Sequence, residues 1–304
     1  MALLALGTAF CTALGGIIMV EVAPAAGGAM ALSRWRTLIA SLVLIALTGL
    51  ARGWSTLRSW HVAPIVLSSL LAVVVADPAL NARYGRIGAR RTALLFALTA
   101  PFAALLGWLV LGETLGANQL AGSLLVVAGI VLAVAFGQSG LRGARVPSAP
   151  EKSLHAEARG TPLAIFFGLL AALAQAAGTL AVRPVMADRA DPFAVMALRA
   201  IVACVVLWAV AAASTAGGMR PFHLPSPRTL GLIGAGAAIS FVLGMTLMMA
   251  ALSGTSVAIA STLAATAPVA VLPMLWLRTG QKPAWQAWCG AALTVGGIGL
   301  IFLR

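Results

Sequence analysis

Charge is the scarcest commodity in this chain, and its scarcity limits the fold more than any motif does. Only 9% of the 304 residues are charged and 61% are hydrophobic, with a mean hydropathy of +1.03, whereas a soluble domain carries about 25% charged residues. So few charges cannot coat a water-facing surface. They suffice to punctuate membrane helices, each of which needs about 20 apolar residues. The apolar windows fall at 3–20, 30–50, 63–82, 92–111, 117–136, 162–182, 193–213, 229–251, 257–277 and 285–303, so the expected fold is an all-α integral membrane protein of ten transmembrane helices. Ala23-Pro24-Ala25 has the look of a signal-cleavage triplet, but no Lys or Arg precedes the first window, which is therefore read as helix 1.

A net charge of +13 in a soluble protein would suggest nucleic acid. Here the Lys and Arg separate apolar windows, where they orient helices and meet anionic lipid, so lipid is the expected partner and nucleic acid is set aside. Cys11, Cys204 and Cys289 lie in apolar stretches without paired spacing, and His61, His155 and His223 lie in connections. Neither set has metal-ligand or disulfide spacing. No metal, cofactor or catalytic residue is expected, and an enzyme is disfavoured because no nucleophile, acid/base or metal-ligand set such as H-E-x-x-H occurs.

One connection stands apart from the others. Residues 137–161, GQSGLRGARVPSAPEKSLHAEARGT, mix Gly, Pro, Ser and charge, which marks a polar linker between a five-helix unit at 1–136 and another at 162–304. The two units repeat. ALSRWRTLIASLVLIAL (31–47) aligns with VMALRAIVACVVLWAV (195–210), placing Arg36 on Arg199, and the same offset of 163 places Thr12 on Gln175 and Gly15 on Gly178. Further on, LTAPFAALLGWLVLGE (98–113) matches ATAPVAVLPMLWLRTG (265–280), pairing Thr99 with Thr266 and Pro101 with Pro268. NQLAGSLLVVAGIVL (118–132) matches QAWCGAALTVGGIGL (286–300). Because five is odd, the second unit enters the membrane from the opposite side, so the repeats are inverted about a pseudo-two-fold axis in the membrane plane.

These residues resemble the drug/metabolite transporter superfamily in its ten-helix form with two EamA-type repeats. The resemblance rests most on P-x(11)-E at 101–113 followed by NQLAG at 118–122, and on ALNARYGRIGARRTALL at 79–95. Helix 9 departs from it, since Gly280-Gln281 stands where the first half has Gly112-Glu113. The resemblance implies alternating access by a multi-pass protein of the bacterial plasma membrane, moving a small-molecule substrate. Size and repeat pattern are most similar to exporters of amino acids or related metabolites of the YddG type, and a cavity with apolar walls and few polar groups would suit neutral or aromatic amino acids better than phosphorylated ones. The alternatives are export of drugs or other metabolites on the same fold and, in a different class, a non-transporting assembly or regulatory subunit.

Candidate site residues follow from polarity at bilayer depth. Asp77 is the one carboxylate placed within a span, and it reads either as a substrate-ammonium partner or proton carrier, or as a cap or ion pair with Arg83. Arg36 and Arg199 read either as carboxylate-recognising forks or as structural, interfacial anchors. Pro101 and Pro268 are expected inside their helices as matched kinks for gating. Thr12, Thr99, Gln175, Thr262 and Thr266 are expected to offer uncharged hydrogen-bonding groups, so helices 1, 4, 6 and 9, with Asp77 on helix 3, should line one central substrate cavity. Gly122, Gly129, Gly297 and Gly299 mark expected close helix contacts, and both monomer and homodimer stay open.

Orientation is pulled two ways. All Lys and Arg except Arg52, Arg58, Arg183, Arg189, Arg199 and Arg304 fall on the side opposite the termini, which by the positive-inside rule places both termini outside, while the resemblance implies cytoplasmic termini. Scarce carboxylates favour facilitated or weakly proton-linked transport over sodium coupling.

Overall fold

The computed structural model describes residues 1–23, 25–76, 97–137, 162–216, 224–279 and 284–302. Every regular element among them is helical. In chain order they are α1 (Ala2–Val22), α2 (Ala29–Leu50), α3 (Val62–Ser69, continuing as π-helix through Leu70–Ala76), α4 (Thr99–Leu111) and α5 (Ala117–Gly137). The second half comprises α6 (Pro162–Ala187), α7 (Pro192–Ala216), α8 (Pro227–Gly236, a π-helical Ala237–Gly244, then Met245–Leu252), α9 (Val257–Ala264 and Ala267–Thr279) and α10 (Trp285–Phe302). Seven of these are long and apolar enough to cross a bilayer, and Thr99–Leu111, Val257–Val271 and Trp285–Ile301 are shorter apolar helices. Among the described residues, ten helices therefore stand at the apolar windows.

Local sequence explains several helix starts. Ser226 accepts the Thr229 N–H with Pro227 next in line, Ser256 accepts the Ile259 N–H, and Asp191 Oδ1 accepts the Ala194 N–H ahead of Pro192. Each side chain satisfies a donor that the helix itself leaves orphaned, and proline loses nothing in a first turn. The outside of the bundle is apolar, with Leu42, Leu109, Val110, Leu124, Val205 and Val295 exposed, as a lipid-facing surface requires. The inside is built of small residues. Ala40, Ala103, Ala176, Ala197, Ala200 and Ala260 are among the fully buried ones, because helices in lipid associate through close packing of small side chains.

Packing obeys the repeat. α5 lies against α10, α2 against α7 and α4 against α9, each helix meeting its own counterpart, while α1 packs on the π-helical part of α8 just as α6 packs on that of α3. Exchanging the halves maps this contact set onto itself, as a pseudo-two-fold arrangement demands. Glycines set the closest approaches. A Cβ at Gly15 would stand 2.5 Å from Ser240 Cβ and 3.0 Å from the Gly236 carbonyl oxygen; one at Gly178 would stand 2.7 Å from Ala72 Cβ and 3.0 Å from the Ser68 carbonyl oxygen. Gly122 and Gly297 exclude a Cβ reciprocally, each 2.7 Å from the other's carbonyl oxygen, and Gly129 and Gly290 do so at 2.6 Å. Gly299, expected at such a contact, faces open space, and Gly290 takes that part.

The two prolines act differently from kinks inside a continuous helix. α9 breaks at Ala265-Thr266 and restarts at Ala267, which puts Pro268 in a first turn, and α4 begins at Thr99 after a turn at Leu98, which puts Pro101 in the equivalent position. An imide cannot donate to the carbonyl four residues back, so the backbone ends one segment and starts another at a place where the missing N–H costs nothing.

Candidate functional site

Midway through the bundle, α3, α6, α7 and α8 enclose a small cavity lined by Ala72, Val73, Gln175, Met196, Arg199, Phe241 and Met245. Its volume is about 10 Å³, room for about one water, so it is too small to hold a solute as it stands. Both π-helical segments wall it: Ala72 and Val73 belong to one, Phe241 to the other. An i→i+5 stretch is rare, and single turns of it mark functional places in helices. Here the two end at Ala76 and Gly244, 168 residues apart and within a few residues of the repeat spacing.

Arg199 is the dominant group in this cavity. Its side chain is 2% exposed, its Nη1 lies 3.5 Å from both Met196 Sδ and Met249 Sδ, and its Nε has no hydrogen-bond partner among the described residues. Thioether sulfur is a weak acceptor, so the charge is held by soft, polarizable contacts. The backbone at this point is fixed across the halves, since the Ser69 hydroxyl donates to the Arg199 carbonyl at 2.7 Å and the Ser68 hydroxyl donates to the Gly178 carbonyl. The repeat-related Arg36 lies with its guanidinium carbon 5.2 Å from the centroid of the Phe241 ring, within cation–π range.

Of the sequence-predicted residues, Gln175 and Arg199 meet in the cavity and the threonines do not line it. Thr262 and Thr266 are buried and donate to their own helix, to the Ala258 carbonyl at 2.8 Å and the Leu263 carbonyl at 2.7 Å, a satisfaction open to any helical threonine. Thr99 is 6% exposed with no hydrogen-bond partner for its hydroxyl among the described residues. Thr12 is half-buried and faces the Gly244 end of the α8 π-helical turn. Asp77, the linker after 137 and Gly280-Gln281 lie outside the described residues.

The end of the bundle that carries the N-terminus holds the ion pairs between halves found among the described residues. Asp188, between α6 and α7, receives Arg58 Nη1 at 3.0 Å and His61 Nε2 at 2.9 Å, while the Arg58 N–H donates to His61 Nδ1 at 3.1 Å. With Nδ1 accepting, the ring proton sits on Nε2 and points at the carboxylate. His61, which sequence marks only as a connection residue without metal-ligand spacing, is thus a fully buried bridge. Nearby, the Asp191 N–H donates to Thr56 Oγ1 at 2.9 Å. A second cluster forms at the end of α4, where Glu113 Oε2 accepts the Val257 N–H at 2.8 Å and Oε1 lies 3.3 Å from Arg183 Nε. Glu113 thus reaches across to the first residue of α9 in the other half.

A two-fold-related ten-helix bundle with broken helices and a charged group at its centre is the architecture of a membrane transporter. Residues 1–135 and 162–303 each match the EamA-like transporter family, and the chain belongs to that family, within the drug/metabolite transporter superfamily. A solved structure described only as "Crystal structure of protein" superimposes with a TM-score of 0.75 at 18% identity, covering 99% of this chain and 96% of that chain. No curated protein matches.

Proposed function

We propose that this transporter works by alternating access in a bacterial plasma membrane and exports neutral or aromatic amino acids or related small metabolites. The observation that carries the reading is the small cavity between the halves, apolar except for Gln175 and Arg199 and walled by a π-helical turn from each half. Apolar walls with a few convergent polar groups suit a small amphipathic solute. They offer far too few donors for a phosphorylated one. The breaks before Pro101 and Pro268 supply equivalent hinges in α4 and α9, Thr99, Thr262 and Thr266 stand beside them, and Thr12 mirrors Gln175. Asp77 serves as the partner of a substrate ammonium or as a proton carrier. The ion pairs at the termini end close that side, and breaking them exposes the cavity there.

Purified protein in liposomes loaded with unlabelled amino acid tests this by counterflow. The expected result is saturable accumulation of a labelled neutral or aromatic amino acid, weakened in Gln175→Ala with folded protein retained. Absence of counterflow across amino acids, aromatic metabolites and cationic drugs would overturn it.

A further inference from the structure

A guanidinium at the centre of a membrane protein is costly unless something balances it, and such groups face bundle interiors or solute paths. Arg199 faces the cavity with one nitrogen on two thioethers and another with no acceptor at all among the described residues. No carboxylate among the described residues lies within ion-pair distance of it. Purely structural buried arginines are ordinarily paired, so the arrangement has the form of a site waiting for an acceptor.

Resting on the transport reading above, we propose that Arg199 is the substrate's anchor: the cavity takes solutes through a carboxylate, which displaces Met196 and Met249 from the guanidinium. The planar fork presents two parallel N–H donors that match a carboxylate. Methionine suits the opposite role, because its flexible thioether fills the space and gives it up without losing a strong hydrogen bond. The volume of about 10 Å³ means that entry separates the π-helical turns carrying Val73 and Phe241. Ser69, which holds the Arg199 carbonyl at 2.7 Å, keeps the α7 backbone fixed relative to α3 while the side chain changes partners. The substrate class is therefore monocarboxylates, amino acids among them, and not amines or cationic drugs.

The test uses the purified full-length protein and four aromatic probes that differ only at the head group: L-phenylalanine, L-phenylalaninamide, 3-phenylpropionate and phenethylamine, with L-leucine and L-leucinamide as an aliphatic pair. Ligand-induced thermal stabilisation gives the affinity of each. The carboxylates should bind at least 10-fold more tightly than their amide or amine counterparts, the range expected of a hydrogen bond to a charged group. Arg199→Met should abolish that preference and Arg199→Lys should retain part of it. Methionine fits apolar surroundings, and size-exclusion elution confirms that the variant is folded. Wild-type affinities within 2-fold across each pair, no binding by any carboxylate, or an undiminished preference in Arg199→Met would overturn the assignment. Counterflow of the amides or amines alongside such a result would leave the transport reading standing.

Discussion

Glu113→Ala should open the termini end of the bundle. In the native structure Val257 is fully buried, and its N–H is satisfied by Glu113 Oε2 at 2.8 Å, while Arg183 lies 3.3 Å from the other oxygen with the two side chains 20% and 16% exposed. Deleting the carboxylate orphans a buried donor at a helix start, which costs about 1–3 kcal/mol, and removes a partly screened ion pair worth about 0.5–1 kcal/mol. The ion pair spans the halves, so the loss of roughly 1.5–4 kcal/mol falls on the closed state and shifts its balance with the open one by about 10-fold or more. Glu113→Gln retains an acceptor for Val257 and should lose only the ionic part. Spin labels at exposed Ser55 and Arg189, one in each half, read the separation directly in lipid nanodiscs. Glu113→Ala should populate a longer distance, with Glu113→Gln in between. An unchanged distribution in Glu113→Ala, or equal effects of the two variants, would refute the capping argument.

Two further outcomes follow from the packing. Gly290→Val should prevent assembly of the α5–α10 pair, because even a Cβ there would stand 2.6 Å from the Gly129 carbonyl oxygen and backbone cannot yield as a side chain can; folded yield and melting temperature should fall, while Gly299→Val, which meets nothing within 4 Å, should leave both unchanged. His61→Phe keeps the bulk of the ring but orphans the Arg58 N–H and removes the Asp188 contact, so it should cost about 1–3 kcal/mol, read as a lower melting temperature in detergent.

The bundle was legible because membrane helices write themselves in composition: each window of about 20 apolar residues had no other satisfactory environment, and the odd number per repeat forced the inversion. The match of Arg36 with Arg199 and of Gly15 with Gly178 was visible as paired letters, and Gln175 and Arg199 do share a cavity. The threonines show what composition leaves open, since a hydroxyl in an apolar window looks like a ligand group whether or not, as at Thr262 and Thr266, it also donates to the preceding turn. The pair of π-helical turns was not legible, since a change from i→i+4 to i→i+5 bonding has no signature in composition; Gly15 and Gly178 lie against these turns but do not announce them. The Ser68-Ser69 pair in an otherwise apolar run was the one available signal, as both hydroxyls bind backbone of the opposite half. His61 was hidden for a similar reason: its partner Asp188 lies 127 residues away.

Alternating access requires that locking one end of the bundle stop transport. A Cβ built on Gly53 lies 3.3 Å from Asp191 Cβ in the other half, close to the spacing of about 3.5–4.5 Å that a disulfide bridges. In a background with Cys11, Cys204 and Cys289 replaced, Gly53→Cys with Asp191→Cys should counterflow substrate when reduced, lose transport on oxidation, and recover it with dithiothreitol. Undiminished counterflow by the fully cross-linked protein would contradict the account.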